Sequence, residues 1–213
     1  MTVTCARGRD RARRGWLLAW PVLLLAGCVA FAQKPEPLPP EVAKRPEWRV
    51  GDRWVFVRTA ASGVIRVVTY EVVADTTEGY QMWIAGLGPG ITRWWTKDFH
   101  LVRQAVGERP LNAFEPAARF FAWPLALGAT WRQEFEYRDR RHDGRYVNRW
   151  RVAERIEPVA VLLGSFPAVR LDQFDGGGQP LATYWYVPAV RFWGKFQSYT
   201  EGYVEELMEF TPA

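Results

Sequence analysis

The feature that most constrains this sequence is an alternation of apolar and polar residues, with a period close to two, from Trp48 to Ala213. Side chains of a β-strand point to alternate faces of a sheet, so this period is typical of strands rather than helices. Turn-forming residues interrupt the alternation roughly every 8–15 residues, as expected for short antiparallel strands. The pattern predicts a single all-β antiparallel domain over residues 48–213, with roughly eight to eleven strands.

Two architectures fit these strands, a closed β-barrel and a two-sheet sandwich, because both protect strand edges and bury aromatic side chains. Aromatic residues make up 15% of the sequence, and each removes roughly 150–250 Å² from water when it is buried. The two cysteines, Cys5 and Cys28, both precede the predicted domain. We therefore expect the aromatic core, without an internal disulfide, to stabilise the domain.

The domain is predicted to contain two related β-meander halves. Residues 48–54 and 123–131 each place a glycine three residues before a tryptophan that opens a strand; these tryptophans are Trp54 and Trp131. We expect both to be buried plugs at equivalent places in the two halves. Chance similarity between two segments rich in Trp and Gly is the alternative.

The first 27 residues combine a basic segment with an apolar run that begins at Trp16 and ends in small residues. This order is typical of a secretory signal, and a run of about 17 residues interrupted by Pro21 is short for a spanning helix. Its end, Leu25-Ala26-Gly27-Cys28, resembles the lipobox of bacterial lipoproteins. The resemblance implies cleavage before Cys28 and attachment of lipid to it. An ordinary secretory signal and an uncleaved anchor are the alternatives.

Prolines mark two segments that are expected to lie outside the strands. Pro110 and Pro116 indicate a crossover between the halves over residues 107–122, with one helical turn. Residues 33–47 contain five prolines, which argues against both helix and sheet pairing. We therefore predict a tether over residues 28–47, whose Pro-rich part, at ~3.1 Å per residue, would hold the domain up to about 45 Å from the bilayer.

The second half of the domain resembles a group of exported, mostly uncharacterised bacterial β-rich domains. The matching features, in chain order, are Trp123-Pro124-Leu125 with Gly128 and Trp131, then Trp150 and Glu154, Gly164-Ser165-Phe166, residues 183–188, and a strand that ends in Glu206-Leu207. Residues 161–164 depart from the Val-Pro-Ala-Gly that such domains often show. The resemblance implies a barrel or sandwich of an uncharacterised lipoprotein or exported-protein family, and no established activity.

The distribution of charge argues against a nucleic-acid partner. The whole sequence has a formal charge of +5, but five of its 28 basic residues lie in the predicted signal. The remainder has 23 basic and 22 acidic residues, which leaves no basic excess for binding phosphate backbones. The basic residues of the signal instead set its orientation at the membrane.

We find no sequence motif for catalysis, for a metal ion or for a cofactor. The two histidines, His100 and His142, do not lie in a cluster of three or four potential ligands, which a metal site needs. The serines at positions 62, 165 and 198 are outside any nucleophile elbow. We predict that the protein is not an enzyme, with a hydrolase as the least favoured alternative.

The adjacent pair Trp94-Trp95 provides the candidate binding surface. Neighbouring residues of a strand face opposite sides, so one of the two rings must face outward. Trp95 shares its face with Arg93 and Lys97, whereas Trp94 lies among threonines. We expect Trp95, Arg93 and Lys97 to form an exposed surface for a sugar ring or an anionic group, and Trp94 to lie in the core. The opposite orientation would turn the cations inward and indicate a polar interior cavity.

These observations predict a non-enzymatic lipoprotein of the bacterial cell envelope, tethered to the membrane by lipid on Cys28 and acting as a binding or assembly module. By the lipoprotein resemblance, an Asp after the cysteine would favour inner-membrane retention; Val29 stands there, so we expect the outer membrane, facing the periplasm. The partner would be an unknown envelope protein or an apolar or saccharide ligand. A carrier of a lipid or another apolar ligand in a barrel cavity is the alternative.

Overall fold

The predicted all-β fold is confirmed. The computed structural model describes residues 41–213, with side chains from Ala43 onward, and contains fifteen β-strands and one short 3₁₀ helix, Pro188–Val190. The strands in chain order are β1 (Glu41–Ala43), β2 (Arg53–Ala60), β3 (Ile65–Asp75), β4 (Gly79–Ala85), β5 (Ile91–Thr96), β6 (His100–Val106), β7 (Arg109–Arg119), β8 (Leu125–Ala126), β9 (Thr130–Asp139), β10 (Asp143–Val152), β11 (Glu157–Val161), β12 (Gly164–Asp175), β13 (Pro180–Val187), β14 (Phe192–Ser198) and β15 (Tyr203–Thr211). Residues 41–213 include no helix long and apolar enough to span a membrane.

Twelve of these strands form one closed antiparallel barrel. Strands β2 to β7 pair in chain order, β7 pairs with β9, β12 to β15 again pair in order, and β15 pairs with β2. The sheet closes where β10, already paired with β9, also pairs with the second half of β12, from Asn148↔Asp175 to Val152↔Leu171. Closure gives each of the twelve strands two neighbours, which removes the open edges that a sandwich would leave.

The three remaining strands lie outside the barrel. β1 and β8 form a separate two-stranded ladder in which Ala43 pairs with Leu125. β11 pairs with the first half of β12, and the Leu163 N–H in the turn between them donates to the Leu207 carbonyl of β15 at 2.9 Å. The folded part therefore begins before Trp48, because β1 and the buried Ala43 lie within the segment predicted to be a tether.

Two six-stranded meanders, β2–β7 and β9–β15 without β11, correspond to the two halves predicted from the sequence. The turns before them share one geometry: Gly51 and Gly128 both have positive φ, at 97° and 73°. In each turn the residue after the glycine donates its backbone N–H to the carbonyl two residues before the glycine, at 3.0 and 3.2 Å. Glycine adopts this conformation without the steric cost of a Cβ, which explains why it recurs at both places.

The tryptophans that follow these turns differ in burial. Trp54 is fully buried, and its Nε1–H donates to the Val190 carbonyl at 2.7 Å. Trp131 is only half-buried and stacks on Trp150, with ring centroids 5.5 Å apart. The expectation of two equivalent core plugs is therefore wrong for Trp131, because the buried side chain at that place is its cross-strand partner Trp150.

The segment predicted to be a crossover, residues 107–122, is mostly strand β7. It pairs with β6 on one side and with β9 on the other. The β6–β7 ladder shifts register twice, between Leu101 and Arg103 and between Gln104 and Ala105. The prolines of β7 are tolerated because such irregularities relieve the need for a continuous ladder of backbone N–H donors.

Aromatic side chains close one end of the barrel. Trp48 is 3% exposed and packs against Phe99 and Phe192, with ring centroids 4.3 and 5.4 Å away. Trp54 lies 4.9 Å from Phe192. We call Trp48, Trp54, Phe99 and Phe192 the aromatic plug. The plug fills the interior where β2 begins, and the fully buried Asp52, directly before β2, forms an ion pair with Arg191 at 2.7 Å.

Candidate functional site

A buried ion pair lies inside the barrel, near the end of β2 that is remote from the aromatic plug. Glu205 is fully buried, and its Oε1 accepts hydrogen bonds from Arg58 Nη2 at 2.7 Å and Nε at 2.8 Å. The two residues are cross-strand partners, and both occupy inward positions, Arg58 after Phe56 and Glu205 before Leu207. Burial alone would lower the pKa of Arg58, but the charge of Glu205 raises it, so the pKa of the guanidinium lies above its usual value.

Tyr70 completes the coordination of Glu205. Its hydroxyl donates toward Oε1 at 3.1 Å and Oε2 at 3.0 Å. Burial and the charge of Glu205 both raise the pKa of the Tyr70 phenol well above its usual value, so the hydroxyl stays a donor. The guanidinium of Arg58 also lies 3.8 Å from the ring centroid of Tyr203. Glu205 is thus engaged through both oxygens and acts as a structural anchor rather than a free acid or base.

A second arginine, Arg93 on β5, points into the same interior space. Its Nε donates to Gln104 Oε1 at 2.8 Å across the β5–β6 ladder. The guanidinium carbon lies 5.9 Å from the ring centroid of Tyr70. Among the described residues this is the only hydrogen bond that its side chain makes, so its two terminal nitrogens are free to bind another group.

These side chains line a cavity of about 260 Å³ inside the barrel. Aromatic and aliphatic side chains form most of its wall, including Phe120 and Phe196, and the amides of Gln104 and Gln173 add polar groups. Tyr184 also lines it, with its hydroxyl 3.4 Å from Gln173 Oε1, and burial raises the pKa of this phenol. A concave wall that combines aromatic side chains with charged and amide groups is a candidate site for a small molecule.

Two tryptophans of the cavity wall carry unpartnered indole N–H groups. Trp95 and Trp193 are 2% and 3% exposed, and neither Nε1 has a hydrogen-bond partner within residues 43–213. A buried donor without a partner costs roughly 1–3 kcal/mol. Both nitrogens are enclosed by surrounding side chains and have no exposed surface in the cavity.

The orientation predicted for β5 is reversed. Trp95 is buried and lines the cavity together with Arg93, whereas Trp94 faces outward and stacks with the Arg103 guanidinium, 3.5 Å from its ring centroid. The expectation of a solvent-exposed surface at Trp95 is wrong, because a barrel of this width tolerates inward cations around a polar cavity. Trp95 and Arg93 remain candidate ligand contacts, now from the interior.

The structure does not bring the third predicted surface residue into this site. Lys97 forms an ion pair with Asp75 and lies 4.0 Å from the ring centroid of Tyr80, and it does not line the cavity. Cys28, the predicted site of lipid attachment, lies outside the described residues.

Sequence reasoning missed the acidic and phenolic members of the site. Tyr70 comes from β3, whereas Tyr203 and Glu205 come from β15 at the other end of the chain, so no local motif groups them. A signal was nevertheless present in the sequence. The period-two alternation places Arg58 and Glu205 on the same strand faces as buried apolar residues. A charged residue on the core-facing side of a strand indicates an interior polar site.

The described residues do not form a candidate metal site. Within residues 41–213 no group of three or more His, Cys, Asp or Glu side chains is placed to hold a metal ion. His142 lies 3.5 Å from Asp139 Oδ1 at the β9–β10 turn, whereas His100 lies on β6. The two histidines therefore do not converge.

Comparison with known proteins gives only distant structural relatives. No family model and no curated protein matches this sequence. A candidate exported protein with a YmcC-like fold from Bacteroides fragilis is similar over 79% of this chain and 99% of its own, with 9% identity and a TM-score of 0.46. The hypothetical lipoprotein YmcC from Escherichia coli is similar over 78% and 87%, with 10% identity and a TM-score of 0.41. A candidate lipoprotein from Parabacteroides distasonis is similar over 79% and 97%, with 12% identity and a TM-score of 0.38.

Proposed function

We propose that this protein is a lipoprotein of the bacterial cell envelope whose barrel binds a small molecule with an apolar body and a polar head. The observation that carries the proposal is the interior cavity, where aromatic side chains surround Arg93, whose terminal nitrogens make no hydrogen bond to a described residue. Lipid on Cys28 tethers the barrel to the outer membrane, facing the periplasm. The protein acts as a binding protein or carrier.

The cavity favours a ligand over a protein partner as the primary target. Trp95, the aromatic residue expected to mark a contact surface, is 2% exposed and lies in the cavity wall. A volume of about 260 Å³ is near the lower end of the ~300–1,000 Å³ of small-molecule sites. We therefore propose a single small ligand or one acyl chain rather than a whole phospholipid.

Binding without chemistry is proposed because the two fully buried carboxylates of the described residues, Asp52 and Glu205, are both engaged in ion pairs. Asp52 pairs with Arg191, and Glu205 accepts hydrogen bonds from Arg58 and Tyr70. We therefore propose a structural role for both carboxylates.

The experiment that tests the proposed function fills the cavity from within. Wild-type protein should bind the neutral apolar fluorophore N-phenyl-1-naphthylamine and raise its fluorescence, and 1-octanol should displace it. Ala182→Phe places a ring on a buried cavity-wall position between Gln173 and Ser198, and it should reduce binding about tenfold or more, as expected for a blocked pocket.

The matched control is Ala160→Phe, which adds the same ring at an exposed position of β11. It should bind the fluorophore like wild type. Overpacking costs roughly 1–3 kcal/mol, so thermal melting must show that Ala182→Phe is folded. Two results would contradict the interior site. One is a folded Ala182→Phe that binds the fluorophore with wild-type affinity, and the other is a wild-type protein that does not bind the fluorophore.

A further inference from the structure

We infer that the polar head of the ligand is an anion, such as a carboxylate or a phosphate, and that Arg93 holds it. The inference rests on the proposed function, which names the cavity but not the chemistry of the head group. Two observations carry it: the free edge of the Arg93 guanidinium, and the fact that Arg93 forms no ion pair with any described residue.

The first observation is the contrast between the two interior arginines. Arg58 is neutralised by Glu205, which its Nε and Nη2 both contact. Arg93 contacts only the neutral amide of Gln104, through Nε. This bond fixes one edge of the planar guanidinium and leaves the edge with both terminal nitrogens for a second partner. That edge matches two oxygens of a carboxylate or phosphate.

The second observation is the charge of the cavity wall. Among the described residues that line it, Glu205 is paired with Arg58, and Glu201 is exposed to solvent in the β14–β15 turn. Arg93 is therefore a partly buried positive charge that forms no ion pair with a described residue, although the carboxylates of Glu201 and Glu205 line the same cavity. An uncompensated charge in a low-dielectric space attracts an opposite charge strongly.

The test compares probes that share one apolar body and differ in the head group. Octanoate, octyl phosphate, 1-octanol and octylamine are titrated into the full folded chain by isothermal calorimetry, and inorganic phosphate is titrated as the head group alone. The two octyl anions should bind at least about tenfold more tightly than 1-octanol, as expected for charge-assisted hydrogen bonds. Octylamine should bind more weakly than 1-octanol.

Variants of Arg93 and its neighbour assign the preference. Arg93→Gln should remove the preference for the anions while the affinity for 1-octanol stays within about twofold. Arg149→Gln, which removes the same charge at an exposed position of β10, is the matched control and should keep the preference. Gln104→Glu keeps Arg93 but gives it an internal carboxylate partner, so it should also abolish the preference even if Arg93→Gln fails to fold.

The outcomes distinguish the inference from the proposed function. Equal binding of octanoate and 1-octanol by wild type, or a preference that survives both Arg93→Gln and Gln104→Glu, would overturn the anion site and leave the cavity as a binding site. Absence of binding by every octyl probe would overturn the proposed function and the inference together. If inorganic phosphate binds as tightly as octyl phosphate, the anion site stands, but the proposal that the ligand has an apolar body is wrong.

Discussion

Trp94 and Trp95 are neighbours in the chain but have opposite environments. Trp95 is buried and packs against Phe120, with ring centroids 5.5 Å apart, and against Trp48 at 6.1 Å. Trp94 faces outward under Arg103. Trp95→Ala should therefore lower the free energy of unfolding by about 3–5 kcal/mol, whereas Trp94→Ala should cost about 1 kcal/mol or less. Urea denaturation followed by circular dichroism measures both, and equal costs would contradict the orientation of β5.

Glu205 is the residue on which the interior polar network depends. Glu205→Ala leaves the Arg58 guanidinium buried without its negative partner and removes the acceptor of the Tyr70 hydroxyl. Breaking one side of a buried ion pair typically costs about 3–5 kcal/mol. The double variant Arg58→Met with Glu205→Leu removes both charges and should recover a large part of this loss. A double variant as unstable as Glu205→Ala would show that the ion pair itself, rather than its unpaired charge, determines stability.

At the scale of elements, the two meanders share their initiating turns but not the packing of the strand that follows. Trp54 packs against Trp48 and Phe192 within the aromatic plug, whereas Trp131 lies half-buried beside Trp150. We expect Trp54→Ala to cost about 3–5 kcal/mol and Trp131→Ala to cost clearly less, near 1–2 kcal/mol. Thermal and urea unfolding of the two variants check the difference. Equal losses would restore the equivalence that the repeated sequence suggested.

At the scale of the whole molecule, the location of the barrel depends on processing before Cys28. One acyl chain gives marginal membrane binding, so stable anchoring needs more than one. We expect mass spectrometry to find the mature chain beginning at a lipid-modified Cys28. Cys28→Ser should leave an unprocessed precursor in the inner membrane, whereas Cys5→Ser, which lies in the predicted signal, should be processed normally. A mature protein released without lipid would contradict the tether.

Much of this architecture could be predicted from the sequence because it depends on local regularities. Alternation with period two predicted an all-β antiparallel domain without reference to contacts between distant residues. Gly51 and Gly128 marked equivalent turns because each turn depends on a local property, the positive φ angle of its glycine. β7 was missed for the complementary reason, since proline is locally unfavourable in a strand and only its two paired neighbours compensate.

The tertiary structure alone decided which face of each strand is inside and that the inside contains a cavity. Alternation separates two faces but does not say which one the barrel encloses, so Trp95 and Arg93 were placed on the wrong side. Closure depends on pairing between β10 and β12 and between β15 and β2, and the last of these pairs joins Arg58 to Glu205 across 147 residues. Contacts at such separations depend on the closed sheet as a whole, because no local preference determines which strands become neighbours.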